Sequence, residues 1–294
     1  MSFQGKLKRF LLILERTRTR PTFAELKDHL EQHGFTLSTR TLQRDIEQIR
    51  VELGLEIVYD RPSNTYVLPD GADDRNSILP LLERAVLGDL LASDGKAIRS
   101  AAPYVRMEHN GILQGLHHWS ALLRAVRERR VVSVTYRRFQ KEVDQVFQLH
   151  PCLLKEYRGR WYVAGPAKGY ERPISLGLDR IRGVVVTNAR FPATERVTVE
   201  HFYGPVIGVD ASYGFAERVV LSFTPLQGQY VKALPLHTSQ TVLQDDAVAF
   251  IVALFVVPNY ELKQELLGFG AAVRLLEPVW LAVEIRNEHL AAAG

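Results

Sequence analysis

From Val131 onward the apolar residues of this 294-residue chain change period. "VVSVTYRRF", "QVFQLHPCLLKEY", "RWYVAG", "RPISLGL" and "IRGVVVT" are five short β-rich runs separated by charged or glycine-containing turns. That count and spacing suit a small barrel. Alternation sets Trp161 and Val163 on one face of their strand and Tyr162 on the other. Val132, Val134 and Tyr136 likewise share a face opposite Ser133 and Thr135. The same strands carry Arg137, Arg138, Lys155, Arg158, Arg160, Arg172, Arg180 and Arg182. A small barrel cannot bury that much charge, so some of these side chains must face solvent, an anion or another chain.

The charge distribution sharpens the point. The chain has a formal net charge of +4, but residues 118 to 200 hold 16 Lys and Arg against 8 Asp and Glu, a surplus of +8. Residues 201 to 294 hold 5 against 9, which is −4. A surplus so local favours an anionic partner in the middle of the chain, and the opposite signs predict that the last two segments pack together or meet in a dimer.

Upstream, the spacing is helical. Phe3, Leu7, Phe10, Leu11 and Leu14 mark a first helix over 3–16. In "TFAELKDHLEQHG", Thr22 and Glu25 form a capping box, and Gly34 supplies the stop. In "STRTLQRDIEQIRVELG", Ser38 is the N-cap of a third helix, Leu42, Ile46, Ile49 and Leu53 make its apolar stripe, and Gly54 ends it. Two short strands, 56–59 and 65–68, flank the turn "RPSN". Three helices and a hairpin predict a winged helix-turn-helix, and hence binding to double-stranded DNA. The contact set would be Ser38, Thr39, Arg40, Thr41, Gln43 and Arg44 at the start of the third helix, with Arg61 at the tip of the wing. Asp45 would be repelled by phosphate and is expected to orient an arginine or cap locally.

"PDGADDRNS", residues 69–77, reads as a linker, followed by helices over 78–91 and from about 112 to 130. Residues 201–294 read as strand, helix, strand, helix, strand, with Glu261 to Leu267 the clearest helix. No apolar run is long enough for a membrane span, and "FLLILE" lacks the features of a secretion signal. The single cysteine, Cys152, allows no internal disulfide and fits a reducing cytoplasm. His109, His117 and His118 show no metal-ligand spacing, and the acids Glu142, Asp144, Glu156, Glu171 and Asp179 show none either. "GFGAAV" at 268–273 follows a helix instead of a strand, so it is not a dinucleotide loop. No cofactor, metal site or enzymatic activity is therefore expected.

"VTYRRF", "HPCLLKEYRGRWYVAG" and "RPISLGLDRIRGV", in this order, resemble the WYL domain of bacterial transcriptional regulators, with the namesake triplet present as Trp161, Tyr162 and Val163. "STRTLQRDI" resembles the recognition helix commonly fused to such domains, and residues 256–286 resemble the small extension that follows them. The resemblance implies an α+β multidomain chain: a winged helix-turn-helix over 1–68, a helical connector over 69–130, an SH3-like or Sm-like five-stranded β-barrel over 131–200, and a C-terminal α+β extension over 201–294 that dimerises. It also implies a homodimeric, ligand-responsive transcription factor, a repressor at rest, on a palindromic DNA operator, with a nucleotide or oligonucleotide effector. Carried over by matching position, the effector site is Tyr136, His150, Tyr162, Arg172 and Arg180, with Lys155, Arg160 and Arg182 at its rim. Three alternatives stay open: an activator of the same architecture, an RNA-binding module and a nucleic-acid-processing protein. Neighbouring phage-defence or DNA-repair genes would identify what is controlled.

Overall fold

The computed structural model describes residues 3–69, 73–91, 99, 104, 114–139, 141–211 and 214–293. The chain divides into two compact units, Met1–Met107 and Glu108–Gly294.

The first unit is built on three helices, α1 (Phe3–Arg16), α2 (Phe23–Gln32) and α3 (Thr39–Leu53), followed by the antiparallel pair β1 (Val58–Asp60) and β2 (Thr65–Val67). The capping box is present with both of its bonds, Thr22 accepting from the Glu25 amide and Glu25 accepting from the Thr22 amide. Ser38 caps α3 by accepting from the Thr41 amide, and Gly54 closes that helix in the left-handed region. Leu42 and Ile49 of α3 are fully buried with Phe10, Ile13 and Leu14 of α1 and with Leu26 and Leu30 of α2. A fourth helix, α4 (Asp73–Leu91), begins inside the stretch read as a linker. Polar composition there does not exclude helix. Leu79, Leu82 and Val86 of α4 join the same core, so this unit extends well past residue 68.

In the second unit, helix α5 (Trp119–Glu128) starts later than its apolar pattern suggests. Gly115 stands at φ 78°, and a Cβ there would lie 2.0 Å from the Leu178 carbonyl oxygen. The turn needs glycine, and helix cannot run through it. Residues 112 and 113, where the helix was expected to begin, lie outside the described residues, as does His109.

The β-rich segment forms six strands: β3 (Arg130–Tyr136), β4 (Gln145–Leu149), β5 (Leu153–Tyr157), β6 (Arg160–Gly165), β7 (Ile174–Gly177) and β8 (Ile181–Arg190). They make two three-stranded antiparallel sheets, ordered β4-β3-β8 and β5-β6-β7, neither closed into a barrel. This corrects the expected five-stranded barrel. "QVFQLHPCLLKEY" splits at Pro151, which has no amide hydrogen to continue a ladder. The amides of His150 and Cys152 instead bond the carbonyls of Pro166 and Ala164, and the chain passes from one sheet to the other. Both sheets contribute to one core, with Val132, Val134 and Leu149 from the first, Val163 and Leu176 from the second, and Leu122 from α5. Trp161 packs against it, its ring 4.2 Å from that of Trp119. Tyr162 faces the other way, as alternation requires.

Helix α6 (Thr194–Tyr203) leads into a four-stranded sheet ordered β10-β11-β9-β12, from β9 (Glu217–Phe223), β10 (Thr241–Asp245), β11 (Phe250–Val256) and β12 (Val273–Glu277). Helices α7 (Pro225–Ala233), α8 (Tyr260–Gly268) and α9 (Val279–Ala293) complete it. The final run, "WLAVEIRN", is helical: Leu281 and Ile285, four apart, are its buried residues. The basic and acidic segments pack together within this unit. Val257 joins a cluster with Cys152, Ala164, Val199 and Tyr203, and Arg158 of β6's turn pairs with Glu265 of α8 at 2.8 Å.

Candidate functional site

In the first unit, Thr39, Arg40, Gln43 and Arg44 are exposed on the opening turns of α3, on the side away from Leu42 and Ile49. Arg40 and Arg44 make no ion pair among the described residues. Ser38 and Thr41 are engaged with each other, their hydroxyls 2.9 Å apart, so their first role is to fix where α3 begins. Arg61 is exposed in the turn between β1 and β2. Asp45 is completely buried on the core face of α3, where it receives Nε of Arg9 at 2.6 Å and Nη2 at 3.1 Å. The arginine that Asp45 orients is thus on α1, and the pair ties the two helices together.

In the second unit the eight candidates separate. Tyr136 and Arg180 line a cleft of about 280 Å³ with Arg138, Phe139, Ile174, Ser175 and Leu176. The Arg180 guanidinium lies 5.2 Å from the Tyr136 ring centre and 4.7 Å from that of Phe139. Its Nε is buried without a hydrogen-bond partner among the described residues. Asp179 stands 3.8 Å from Arg180 and also 3.8 Å from Arg160, so one carboxylate is shared between two cations and hydrogen-bonds neither. Burial raises the Tyr136 hydroxyl above its ordinary range, and the Arg180 charge opposes that rise.

Tyr162 and Arg160 line a second cleft of about 500 Å³, whose other walls are Tyr157, Arg158, Tyr260, Glu261 and Gln264. The Tyr162 hydroxyl is raised by burial and pulled down by Arg180. Arg180 therefore acts on the tyrosines of both clefts, and Tyr136, Arg180, Tyr162 and Arg160 form one cationic, aromatic band. Such a band offers guanidinium forks for phosphate and ring faces for a base, each stacked base contributing ~1–3 kcal/mol.

The other four candidates stand elsewhere. His150 holds Glu195 of α6 at 2.7 Å and stacks flat on Phe191, with ring centres 5.2 Å apart. Arg172 donates to the Gly214 carbonyl at 2.9 Å and covers Phe202 and Phe215. Arg182 is exposed on β8. Lys155 donates to the Val206 carbonyl at 3.1 Å, over the Tyr203 ring.

The sequence reading named Arg138 and Arg158 among the outward cations but did not place them in the effector site, and it missed Phe139, Tyr157 and Glu261 there. Phe139 carries a signal in retrospect: a large aromatic directly after two arginines, and 77 % exposed. Glu261 carries none, because Tyr157, Arg158, Arg160 and Tyr162, which share its cleft, lie far from it along the chain.

Burial pushes the Lys155 ammonium down from 10.5 to about 8, with the Glu261 charge opposing. Between those two values the folded chain binds fewer protons than the unfolded chain, so this group makes stability rise with pH across that window. Replacing Lys155 with Met should abolish that rise. Urea unfolding at about pH 7.5 and about pH 9.5 should show the variant's advantage shrinking by about 2 kcal/mol at the higher pH. An unchanged difference would mean that Lys155 titrates normally.

Residues 117–186 match the family model of the WYL domain, and residues 216–293 match that of the WCX domain. The chain carries both domains. The clefts described above thus lie in the WYL domain and along its border with the WCX domain. Among solved structures, the chain is similar to the proteasome accessory factor B/C (PafBC) of Arthrobacter aurescens, at 19 % identity and a TM-score of 0.28, over 99 % of this chain and 46 % of that one. It is also similar to a CRISPR Cas-related protein, at 12 % identity and a TM-score of 0.42, over 99 % of this chain and 83 % of that one. The chain thus spans under half the length of the PafBC chain. No curated protein matches the sequence. Among the described residues no helix is long and apolar enough to cross a membrane.

Proposed function

We propose that the protein is a homodimeric, DNA-binding transcriptional regulator of the cytoplasm, a repressor at rest. Its affinity for a palindromic operator changes when a nucleotide or oligonucleotide occupies the band around Tyr136, Arg160, Tyr162 and Arg180. The N-terminal helices and hairpin act as a winged helix-turn-helix, and the chain performs no catalysis. The observation that carries the reading is the exposed set Arg40, Gln43 and Arg44 on the opening turns of a capped helix, in a chain that also holds a WYL domain. Arginine and glutamine side chains so placed have the donors to meet phosphates and base edges in a major groove.

Effector control follows only if the ligand binds two arrangements of the dimer unequally, because equal binding shifts no equilibrium. Gel-shift titration against the duplex upstream of the protein's own gene, beside single-stranded RNA of equal length, tests the DNA-binding claim. The duplex should bind more tightly at every salt concentration. Replacing both Arg40 and Arg44 with Ala should weaken duplex binding and flatten the salt dependence by about 1 to 2 in log–log slope, one phosphate contact contributing about 0.9. Preference for RNA at matched salt would overturn the reading.

A further inference from the structure

The larger cleft contains a group that phosphate recognition does not explain. Glu261, in the first turn of α8, is only 8 % exposed, yet it lines a space with three tyrosines, two arginines and Gln264, whose amide is spent on the Tyr260 hydroxyl at 2.8 Å. Its Oε1 accepts the Val209 amide at 3.3 Å and the backbone of Asp210 and of Glu261 itself also stabilises the carboxylate, while its buried Oε2 has no hydrogen-bond partner among the described residues. The Tyr157 hydroxyl in the same cleft is likewise buried and unpartnered. A buried acceptor left unmatched is costly, so such groups are normally satisfied. The side chain is also held in place. Gly208, at φ 80°, packs its backbone so closely that a Cβ there would lie 2.5 Å from Glu261 Cγ.

The buried carboxylate oxygen therefore lacks a hydrogen-bond donor, which a neutral N–H of a ligand can supply. A phosphate is excluded at this spot, because it brings only acceptors and negative charge to a carboxylate. Of the nearby cations, Arg158 is tied to Glu265 at 2.8 Å, Arg160 stands 3.8 Å from Asp179, and the buried Lys155 ammonium feels the Glu261 charge while donating to the Val206 carbonyl. Base edge at Glu261 and phosphate toward Arg160 is the arrangement that satisfies both ends.

We propose that Glu261 of the WCX domain reads an exocyclic amino group, so that the cleft selects nucleotides of adenine, cytosine or guanine over those of thymine or uracil. Cytosine and adenine present an amino group at the ring position where thymine and uracil present O4, and guanine presents one beside its N1–H; the single N3–H of thymine or uracil is flanked by two carbonyl oxygens that a carboxylate repels. The inference rests on the nucleotide-effector reading above and adds base selectivity to it. Burial, which raises the Glu261 carboxyl from its ordinary range, also favours a ligand that supplies the missing hydrogen bond.

The test is calorimetric titration of the full chain with single-stranded hexamers of deoxyadenylate, deoxycytidylate and thymidylate. The first two should bind about tenfold to a hundredfold more tightly than the third, the range expected when a buried polar group is matched or left unmatched. In Glu261→Gln the gap should close, since the amide keeps the shape and offers a donor to a carbonyl. Equal affinity for the three hexamers in the wild-type chain, or an undiminished gap in Glu261→Gln, would overturn the proposal while leaving the effector reading intact. Failure of every hexamer to bind would overturn both. If Glu261→Gln does not fold, Tyr157→Phe replaces it: removing the other unpartnered group should weaken the adenylate and cytidylate hexamers, and unchanged affinities would count against the proposal.

Discussion

Replacing Asp45 with Ala should destabilise the N-terminal unit by about 3–5 kcal/mol, the usual consequence of leaving one member of a buried ion pair alone. Arg9 and Asp45 are both almost fully excluded from solvent and meet through two bonds, at 2.6 and 3.1 Å. Removing the carboxylate takes both of these bonds from a guanidinium that stays buried, 5.9 Å from the centre of the Phe35 ring. The expected loss is a large share of the ~5–15 kcal/mol that holds a typical domain together. Urea unfolding of the full chain, followed by circular dichroism, should show an early transition for the first unit in Asp45→Ala. DNA binding should fall with it, because α3 carries the proposed contacts. The double variant Arg9→Met with Asp45→Leu should recover most of the stability, since apolar replacement of both partners leaves no orphaned charge. A change below about 1 kcal/mol in Asp45→Ala would mean that the pair is solvated and contributes as little as a surface bridge.

Asp45 also shows what kinds of feature the sequence makes legible. Local devices are plain in it. The Thr22–Glu25 capping box, the Ser38 cap and the Gly54 stop each depend on residues within a few positions, and each is found where its spacing places it. The alternation of Trp161, Tyr162 and Val163 is equally local, and two packed faces follow from it. The partner of Asp45 is 36 positions away, so a charged residue within an apolar stripe shows only that some counter-charge must exist. The break at Pro151 was written in the residue itself, but the apolar count on either side concealed it. The long strand run therefore became two strands in two sheets. Charge and alternation showed that cations and Tyr162 face out of the core, and the WYL resemblance singled out Tyr136, Tyr162 and Arg180 among them, whereas nothing singled out Glu261. Its role depends on α8 lying against β6, a contact that no spacing along the chain encodes.

Replacing Arg180 with Ala should weaken effector binding about tenfold to a hundredfold, as expected for loss of charge-assisted hydrogen bonds of about 1.5–3 kcal/mol. Arg180 sits over Tyr136 and Phe139, has an Nε without a hydrogen-bond partner among the described residues, and acts on the tyrosines of both clefts. Its nearest acid, Asp179, is shared with Arg160 and leaves the band net positive. The fold should tolerate the change, because Arg180 ends a short turn between β7 and β8 and its packing is against ring faces of the cleft. His150 provides a contrast: already engaged with Glu195 and Phe191, it should affect the stability of α6 more than effector affinity.

The central claim is that effector binding at this band controls DNA binding by the first unit. Its most direct measurement is the operator affinity of wild-type chain and Arg180→Ala, each with and without a saturating single-stranded deoxyadenylate hexamer at fixed salt. The account predicts that the hexamer shifts wild-type affinity by at least about fivefold, the lower end of typical coupling between sites. It also predicts that Arg180→Ala keeps its basal affinity and loses the shift. A hexamer that binds the wild-type chain and leaves operator affinity unchanged would contradict it.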